Sequence, residues 1–182
     1  PLIQRIRESH SDIPVYFIDS NSTDLTQNEI QKYQKTDLNI HLLQQPKKIG
    51  LGLAYIEAFF HLIQNTSITH IIIMDADLSH EPEEICHFID KSDTYDIVIG
   101  SRVINSTLFQ PESFIRNFIS KCINFYAHRK LQLPIKDYSS GFIMFPLRNV
   151  ENYLHILKRT KGYIFQAHLK YALFRTTSSH VE

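Results

Sequence analysis

The run Ile68-Thr69-His70-Ile71-Ile72-Ile73-Met74 constrains this chain most, because it is apolar and β-branched and stops abruptly at Asp75-Ala76-Asp77. Such a run reads as a strand covered on both faces, as in a parallel sheet. Other short runs resemble it: Pro14 to Ile18 ending at Asp19, Ile40 to Leu43, Ile97 to Ile99, and Phe142 to Phe145. Helical spacing separates them. Leu2, Ile3 and Ile6 predict a helix over 2–9, and a second is expected over 25–35. Leu51, Ala54, Tyr55, Ala58, Phe59 and Leu62 predict an amphipathic helix over 51–64. Further helices are expected over 112–129, 147–159 and 163–174, and Pro82-Glu83-Glu84 suits a helix first turn. Strands alternating with helices give an α/β fold with a mainly parallel sheet. No repeat, linker or low-complexity tract divides residues 1–182, so one domain is expected.

Composition removes several classes. With 43% hydrophobic and 12% aromatic residues the chain is neither disordered nor collagenous. Lys plus Arg (19) balance Asp plus Glu (19), which argues against non-specific nucleic-acid binding. Cys86 and Cys122 form no metal or disulfide pattern and read as buried thiols of a reducing compartment. The longest purely apolar run, Ile71 to Met74, is far short of the ~20 residues of a membrane span. The chain opens inside a helix without an initiator Met and stops at His180-Val181-Glu182, so it is expected to be a piece cut at both ends. Ten histidines include no His-Glu-x-x-His pair, and no Gly-x-Ser-x-Gly elbow is present. A zinc enzyme and an α/β-hydrolase are therefore disfavoured.

In open α/β sheets ligands bind beyond the carboxyl ends of the strands. Asp75 and Asp77 lie there, one residue apart. Paired carboxylates repel unless a cation neutralises them, and Mg²⁺ or Mn²⁺ with a diphosphate would do so. The alternative is a turn in which either carboxylate accepts from nearby backbone N–H groups. Asp19 could hold a nucleobase or ribose, or could open an Asx-turn into Ser20-Asn21-Ser22. Lys47-Lys48 and Gly50-Leu51-Gly52 precede the 51–64 helix, where backbone and helix dipole suit an anion. A plain turn with a helix start is the alternative. Arg102 follows Gly100-Ser101, while Arg116 and Ser120 share a face of the 112–129 helix. Together they could grip a phosphate, or simply be solvated. Asp137, before Ser140-Gly141-Phe142, is either an active-site acid or a loop-ordering group.

These segments, in order, resemble the family 2 glycosyltransferases of the GT-A fold, and within them the dolichol-phosphate or polyprenol-phosphate mannose synthases. The matching blocks are Ile18 to Asp24, Pro46 to Ile56, Met74 to Pro82, Gly100-Ser101-Arg102, Asp137 with Ser140-Gly141-Phe142, and Lys161 to Gln166. They span nearly the whole chain. All five glycines (Gly50, Gly52, Gly100, Gly141 and Gly162) fall inside them.

The resemblance implies roles. Asp19, Lys48, Gly50 and Asp75 would bind the nucleotide sugar. Asp75 and Asp77 would be the DxD pair holding Mg²⁺ or Mn²⁺. Arg102, Arg116 and Ser120 would hold the acceptor phosphate, and Asp77 and Asp137 would be the catalytic acids. The donor implied is GDP-mannose and the acceptor a polyprenyl (dolichyl) phosphate, with inversion at C1. A phosphate monoester is already anionic near neutral pH, so the attack needs positioning rather than a strong base. The expected place is the cytoplasmic face of a membrane, with any anchoring segment or subunit lying elsewhere. The rival readings are a family member using a UDP-sugar and a degenerate, non-catalytic nucleotide-binding domain. Three departures from the family pattern stand out. Its first strand does not precede residue 1, Ser20 stands where many members have a second Asp, and Ser79 stands where some place a metal-binding Gln. The chain by itself is therefore expected to be inactive or weak.

Overall fold

The computed structural model describes residues 1–65, 67–101, 114–133, 135–158, 160 and 164–176; for residues 114–121, 123 and 176 only the backbone is described. The order of elements is α1 (Leu2–Ser9), β1 (Val15–Asp19), α2 (Thr26–Gln34), β2 (Ile40–Gln44), α3 (Leu51–Ile63) and β3 (His70–Ile73). A single 3₁₀ turn, Pro82–Glu84, leads into α4 (Ile85–Lys91). Then come β4 (Val98–Ile99), α5 (Phe114–Leu131), β5 (Ile143–Pro146), α6 (Arg148–Glu151), α7 (Leu154–Leu157) and α8 (Ile164–Thr176).

β1 and β2 pair in parallel, Val15 opposite Ile40 and Asp19 opposite Gln44. β3, β5 and β4 form a second ladder in which β5 lies between the others and runs against both. β3 and β4 are thus parallel to each other, and the antiparallel insertion of β5 is what the alternating pattern did not foretell. Its cause is local. Ile99 is paired with Ile143, and Gly100 N–H donates to the Phe142 carbonyl at 2.9 Å. The excursion through α5 therefore returns to the end of β4 from which it left, and β5 must run back.

β5 is buried along its whole length because its two faces serve two cores. Ile143 and Phe145 face Phe59 of α3, Val150 of α6, Leu157 of α7 and Leu169 of α8. Phe142 and Met144 face Ile6 of α1 and Ile85 and Phe88 around α4. α1 is fastened on its polar side, where Arg5 donates twice to Glu83 (2.8 and 2.5 Å). The single helix expected over 147–159 is two short ones. Three-residue bonds such as Tyr153 N–H to the Val150 carbonyl (3.0 Å) tighten the chain between them, while Leu147, Val150, Leu154 and Leu157 still reach the core. The cysteines also depart from expectation: Cys86 is half-buried and Cys122 is exposed, on the outer side of α5.

Among the described residues no ladder joins β1 to β3. A mainly apolar slot of about 840 Å³ lies between them, lined by Tyr16, Ile18, Ile71 and Ile73 and floored by Tyr55 and Phe59 of α3. This is why Ile71 and Ile72 are only half-buried, although their run reads as a strand covered on both faces. Unpaired strand edges beside an apolar slot invite another strand. The 182-residue chain is expected to self-associate with rising concentration in sedimentation velocity; a monodisperse monomer at all concentrations would contradict this.

Candidate active site

Ser20, Lys48, Gly50, Asp75 and Ala76, which follow β1, β2 and β3, all line the slot. Three of the residues expected to bind a nucleotide sugar thereby share one slot, and the fourth is adjacent in sequence to a lining residue. Lys48, Gly50 and Asp75 line it directly, and Asp19 lies just behind Ser20. Asp19 is only 5% exposed. Its Oδ2 accepts from Ser22 N–H at 3.0 Å and from Gln27 Nε2 at 2.5 Å. Burial pushes its carboxyl up, but the bonds from Ser22 and Gln27 outweigh that and hold it below the ordinary carboxylate range. Asp19 is thus ionised and also orders the Ser20–Ser22 loop. The Ser20 hydroxyl donates to Gln45 Oε1, and Gln45 Nε2 donates to Glu57 at 2.7 Å, tying that loop to α3.

Gly50 caps α3 at φ 90°, a conformation that favours glycine, and a Cβ there would meet nothing within 4 Å. No side chain caps the helix, so its first N–H groups are left without a side-chain acceptor. Gly52 serves packing instead. A Cβ on it would lie 2.9 Å from the Phe165 ring and 3.2 Å from the Thr160 carbonyl, so the first turn of α3 sits directly on α8. Tyr55 stacks on Phe165 at 5.8 Å between centroids. Burial, and after it the Asp75 carboxylate, pushes the Tyr55 phenol well up.

Asp75 is half-buried and Asp77 exposed. Backbone N–H of Asp75 donates to His80 Nδ1 at 2.9 Å, which leaves the imidazole proton on Nε2, 3.9 Å from Asp75 Oδ2. The buried His80 ring stacks on Phe142 at 4.9 Å. Asp77 Oδ1 accepts from Ser79 N–H at 2.9 Å across Leu78, which holds φ 63°. The turn reading of this motif is therefore realised at Asp77. Ser79 Oγ is buried with no hydrogen-bond partner among the described residues. Two carboxylates and a spare hydroxyl are hard oxygen donors, the set that Mg²⁺ or Mn²⁺ takes. No group of three or more His, Cys, Asp or Glu side chains is assembled among the described residues.

Asp137 is 3% exposed. Its Oδ1 accepts from Ser139 N–H (3.0 Å), Ser139 Oγ (2.8 Å) and Ser140 N–H (3.0 Å). Of the two roles open to it, this geometry supports loop ordering; as a catalytic acid it would have to act from behind its own loop. The loop it orders ends at Gly141, where a Cβ would lie 3.4 Å from Asp75 Oδ1 and 3.6 Å from Gln166 Nε2. Ser140 Oγ donates to the Gly100 carbonyl at 2.6 Å. Arg102 lies outside the described residues. Arg116 and Ser120 lie on α5, where only the backbone is described, so their shared face stands as a helical register.

Residues 1–154 match the family model of Glycosyl transferase family 2. The chain belongs to that family. This glycosyltransferase is also similar, at 28% identity over 184 residues, to the polyprenol monophosphomannose synthase of Mycolicibacterium smegmatis, covering 100% of this chain and 69% of that protein. It is 28% identical over 178 residues to the undecaprenyl-phosphate mannosyltransferase of Micrococcus luteus, covering 98% of this chain and 73% of the relative. The GT-A fold expected from the resemblance goes with this membership.

His80 bonds to Asp75, Gln166 lies against Gly141, and Lys170 bonds to the 137–141 loop, though no sequence motif singles them out. His80 and Gln166 lay inside quoted blocks without a role. Lys170 carried a signal of its own, a lysine on the apolar face of a predicted helix, between Leu169 and Leu173.

Proposed function

We propose that this family 2 glycosyltransferase moves mannose from GDP-mannose to a polyprenyl phosphate, with inversion at C1. The observation that carries the reading is the one slot lined in common by Ser20, Lys48, Gly50 and Asp75, which follow β1, β2 and β3, with Asp19 next to Ser20. The names of the two relatives support the mannose and the lipid phosphate. Asp19, ionised and rigidly held, is placed to accept from the nucleoside. Lys48 and the uncapped start of α3 suit the diphosphate. Asp75 and Asp77 would hold Mg²⁺ or Mn²⁺, which when bound neutralises charge on the departing diphosphate.

The reaction is one displacement. An acceptor phosphate oxygen attacks C1 as the bond from C1 to the diphosphate oxygen breaks, and the electron pair leaves with the nucleoside diphosphate. The nucleophile arrives already ionised, so no residue has to remove its proton. Arg102, Arg116 and Ser120 would orient that phosphate; Arg116 and Ser120 are one helical turn apart on α5.

A membrane-surface location follows from the acceptor. Among the described residues no helix is long and apolar enough to cross a membrane. α5 contains no acidic residue, and Phe125 (72% exposed) and Tyr126 (60% exposed) stand beside exposed His128, Arg129 and Lys130. Exposed aromatics next to basic groups suit an anionic lipid surface.

The deciding experiment is transfer of labelled mannose from GDP-mannose to undecaprenyl phosphate with Mg²⁺ or Mn²⁺, run beside a calorimetric comparison of GDP-mannose with UDP-glucose. Absence of mannose transfer with no preference for UDP-glucose in binding would leave the non-catalytic reading; preference for UDP-glucose would move the enzyme to another donor class. In active protein, Arg116→Ala is expected to raise the KM for the lipid phosphate at least tenfold. That corresponds to losing one charge-assisted bond of about 1.5–3 kcal/mol. An unchanged KM would remove Arg116 from the acceptor site.

A further inference from the structure

The most unusual group outside the residues already assigned is a lysine inside the core. Lys170 is 0% exposed, in the middle of α8, with Leu169 and Leu173 as buried neighbours on the same helix. Its Nζ donates to the Tyr138 carbonyl at 3.1 Å and to the Ser140 carbonyl at 2.6 Å. Those carbonyls belong to the loop whose N–H groups at Ser139 and Ser140 converge on Asp137 Oδ1. The loop is therefore clamped from two sides, a carboxylate collecting its N–H groups and an amine collecting its C=O groups. Beyond Ser140 the chain passes directly to Gly141, which lies against the Asp75 carboxylate and the Gln166 amide. The loop also holds the end of β4 through the Ser140 hydroxyl.

A buried amine costs stability unless its donors are satisfied, and an apolar side chain of similar size would fill the same space more cheaply. We propose that Lys170 is a positioning residue of the transfer site, whose amine holds the Tyr138 and Ser140 carbonyls and so fixes the 137–141 loop against Asp75. The proposal rests on the reading that Asp75 belongs to the donor site. Lys170 touches no reacting group; it acts through the loop.

The charge on Lys170 is available to solution pH. Burial lowers its pKa to about 7, and Asp137 nearby works in the opposite direction. Asp137 and Tyr138 are the buried titratable neighbours on the loop. On the helices packed against α8, Tyr55 of α3 is buried and the other described titratable groups are exposed: Glu57 and His61 of α3, Cys122, Tyr126, His128, Arg129 and Lys130 of α5, Arg148 and Glu151 of α6, and His155 of α7. On α8 itself His168 and Arg175 are exposed too. Above pH 7 the two clamping bonds lose their charge assistance, which roughly halves their strength. The loop loosens and turnover falls.

The test compares wild type with Lys170→Met, using GDP-mannose and a short-chain polyprenyl phosphate, together with hydrogen exchange at the Ser139 and Ser140 amides. Lys170→Met is expected to lower kcat about tenfold, with the KM for GDP-mannose changed less than twofold. It should speed exchange at those two amides at least tenfold and leave the amides of α3 unchanged. Wild-type kcat should fall through an apparent pKa near 7, and that limb should be missing in the variant. A folded variant with wild-type kcat and unchanged loop exchange overturns the proposal. So does a wild-type kcat that stays flat from pH 6 to pH 8.5 while the unfolding difference from Lys170→Met shows the amine losing its proton in that range. If wild type transfers no mannose yet the variant's loop amides exchange faster, the clamp stands and the functional reading fails.

Discussion

Asp77→Asn is expected to abolish transfer almost as completely as Asp77→Ala, each lowering kcat by about 10² to 10³. The comparison separates the two jobs of this side chain. In the structure Asp77 Oδ1 accepts from Ser79 N–H and so closes a turn over Leu78. An asparagine oxygen can accept the same bond, so Asn preserves the turn. It cannot supply the negative charge that a divalent cation needs. A turn role therefore predicts activity near wild type in Asn and a loss in Ala, whereas a charge role predicts loss in both. Asp75→Asn should behave similarly, with more damage to the fold, because that side chain is half-buried and lies against Gly141. The measurements are kcat over a Mn²⁺ titration and a thermal melt for each variant. Wild-type turnover in Asp77→Asn would end the metal assignment.

The sheet was legible where periodicity and strand termination agree. Asp19, Asp75 and Gly100 mark the ends of apolar runs, and each lies at or just past the end of β1, β3 or β4. The core of α3 followed from spacing alone, apart from Leu51, which is exposed at the first turn. The direction of β5 was not legible, because a strand buried on both faces reads the same whichever way it runs; its direction depends on where the α5 excursion returns. The role of Asp137 was left open between acid and loop-ordering group, since both need a carboxylate before Ser-Gly-Phe. The bonds that Asn124, Ser139 and Ser140 give to one oxygen favour the second. His80 escaped because a histidine at a turn has many uses. Its bond to Asp75 N–H and its stacking on Phe142 are tertiary facts. Asp75 and Asp77, by contrast, stand one residue apart in a local motif, and local motifs are legible in sequence.

Lys170 also makes stability and activity diverge with pH, and this is the larger of the two effects expected from one side chain. In the unfolded chain its amine titrates near 10.5, whereas in the folded protein it titrates at about 7. Below pH 7 both states carry the proton, so stability is independent of this group's titration. Between about 7 and 10.5 the unfolded state binds one proton more than the folded state. Stability then rises with pH by up to 1.36 kcal/mol per unit, roughly 5 kcal/mol over the whole interval. Lys170→Met lacks this dependence, and titration of every other group largely cancels in the difference between the two proteins. Denaturant unfolding of both from pH 6 to pH 10 should show a flat difference up to pH 7 and a steady gain for wild type above it. A difference that stays constant over the range would mean that the buried amine keeps its ordinary basicity. If the gain appears, wild-type kcat falls over a pH range in which the fold is becoming more stable. A residue that served stability alone would give the opposite correlation, with turnover holding level or rising as the folded state strengthens.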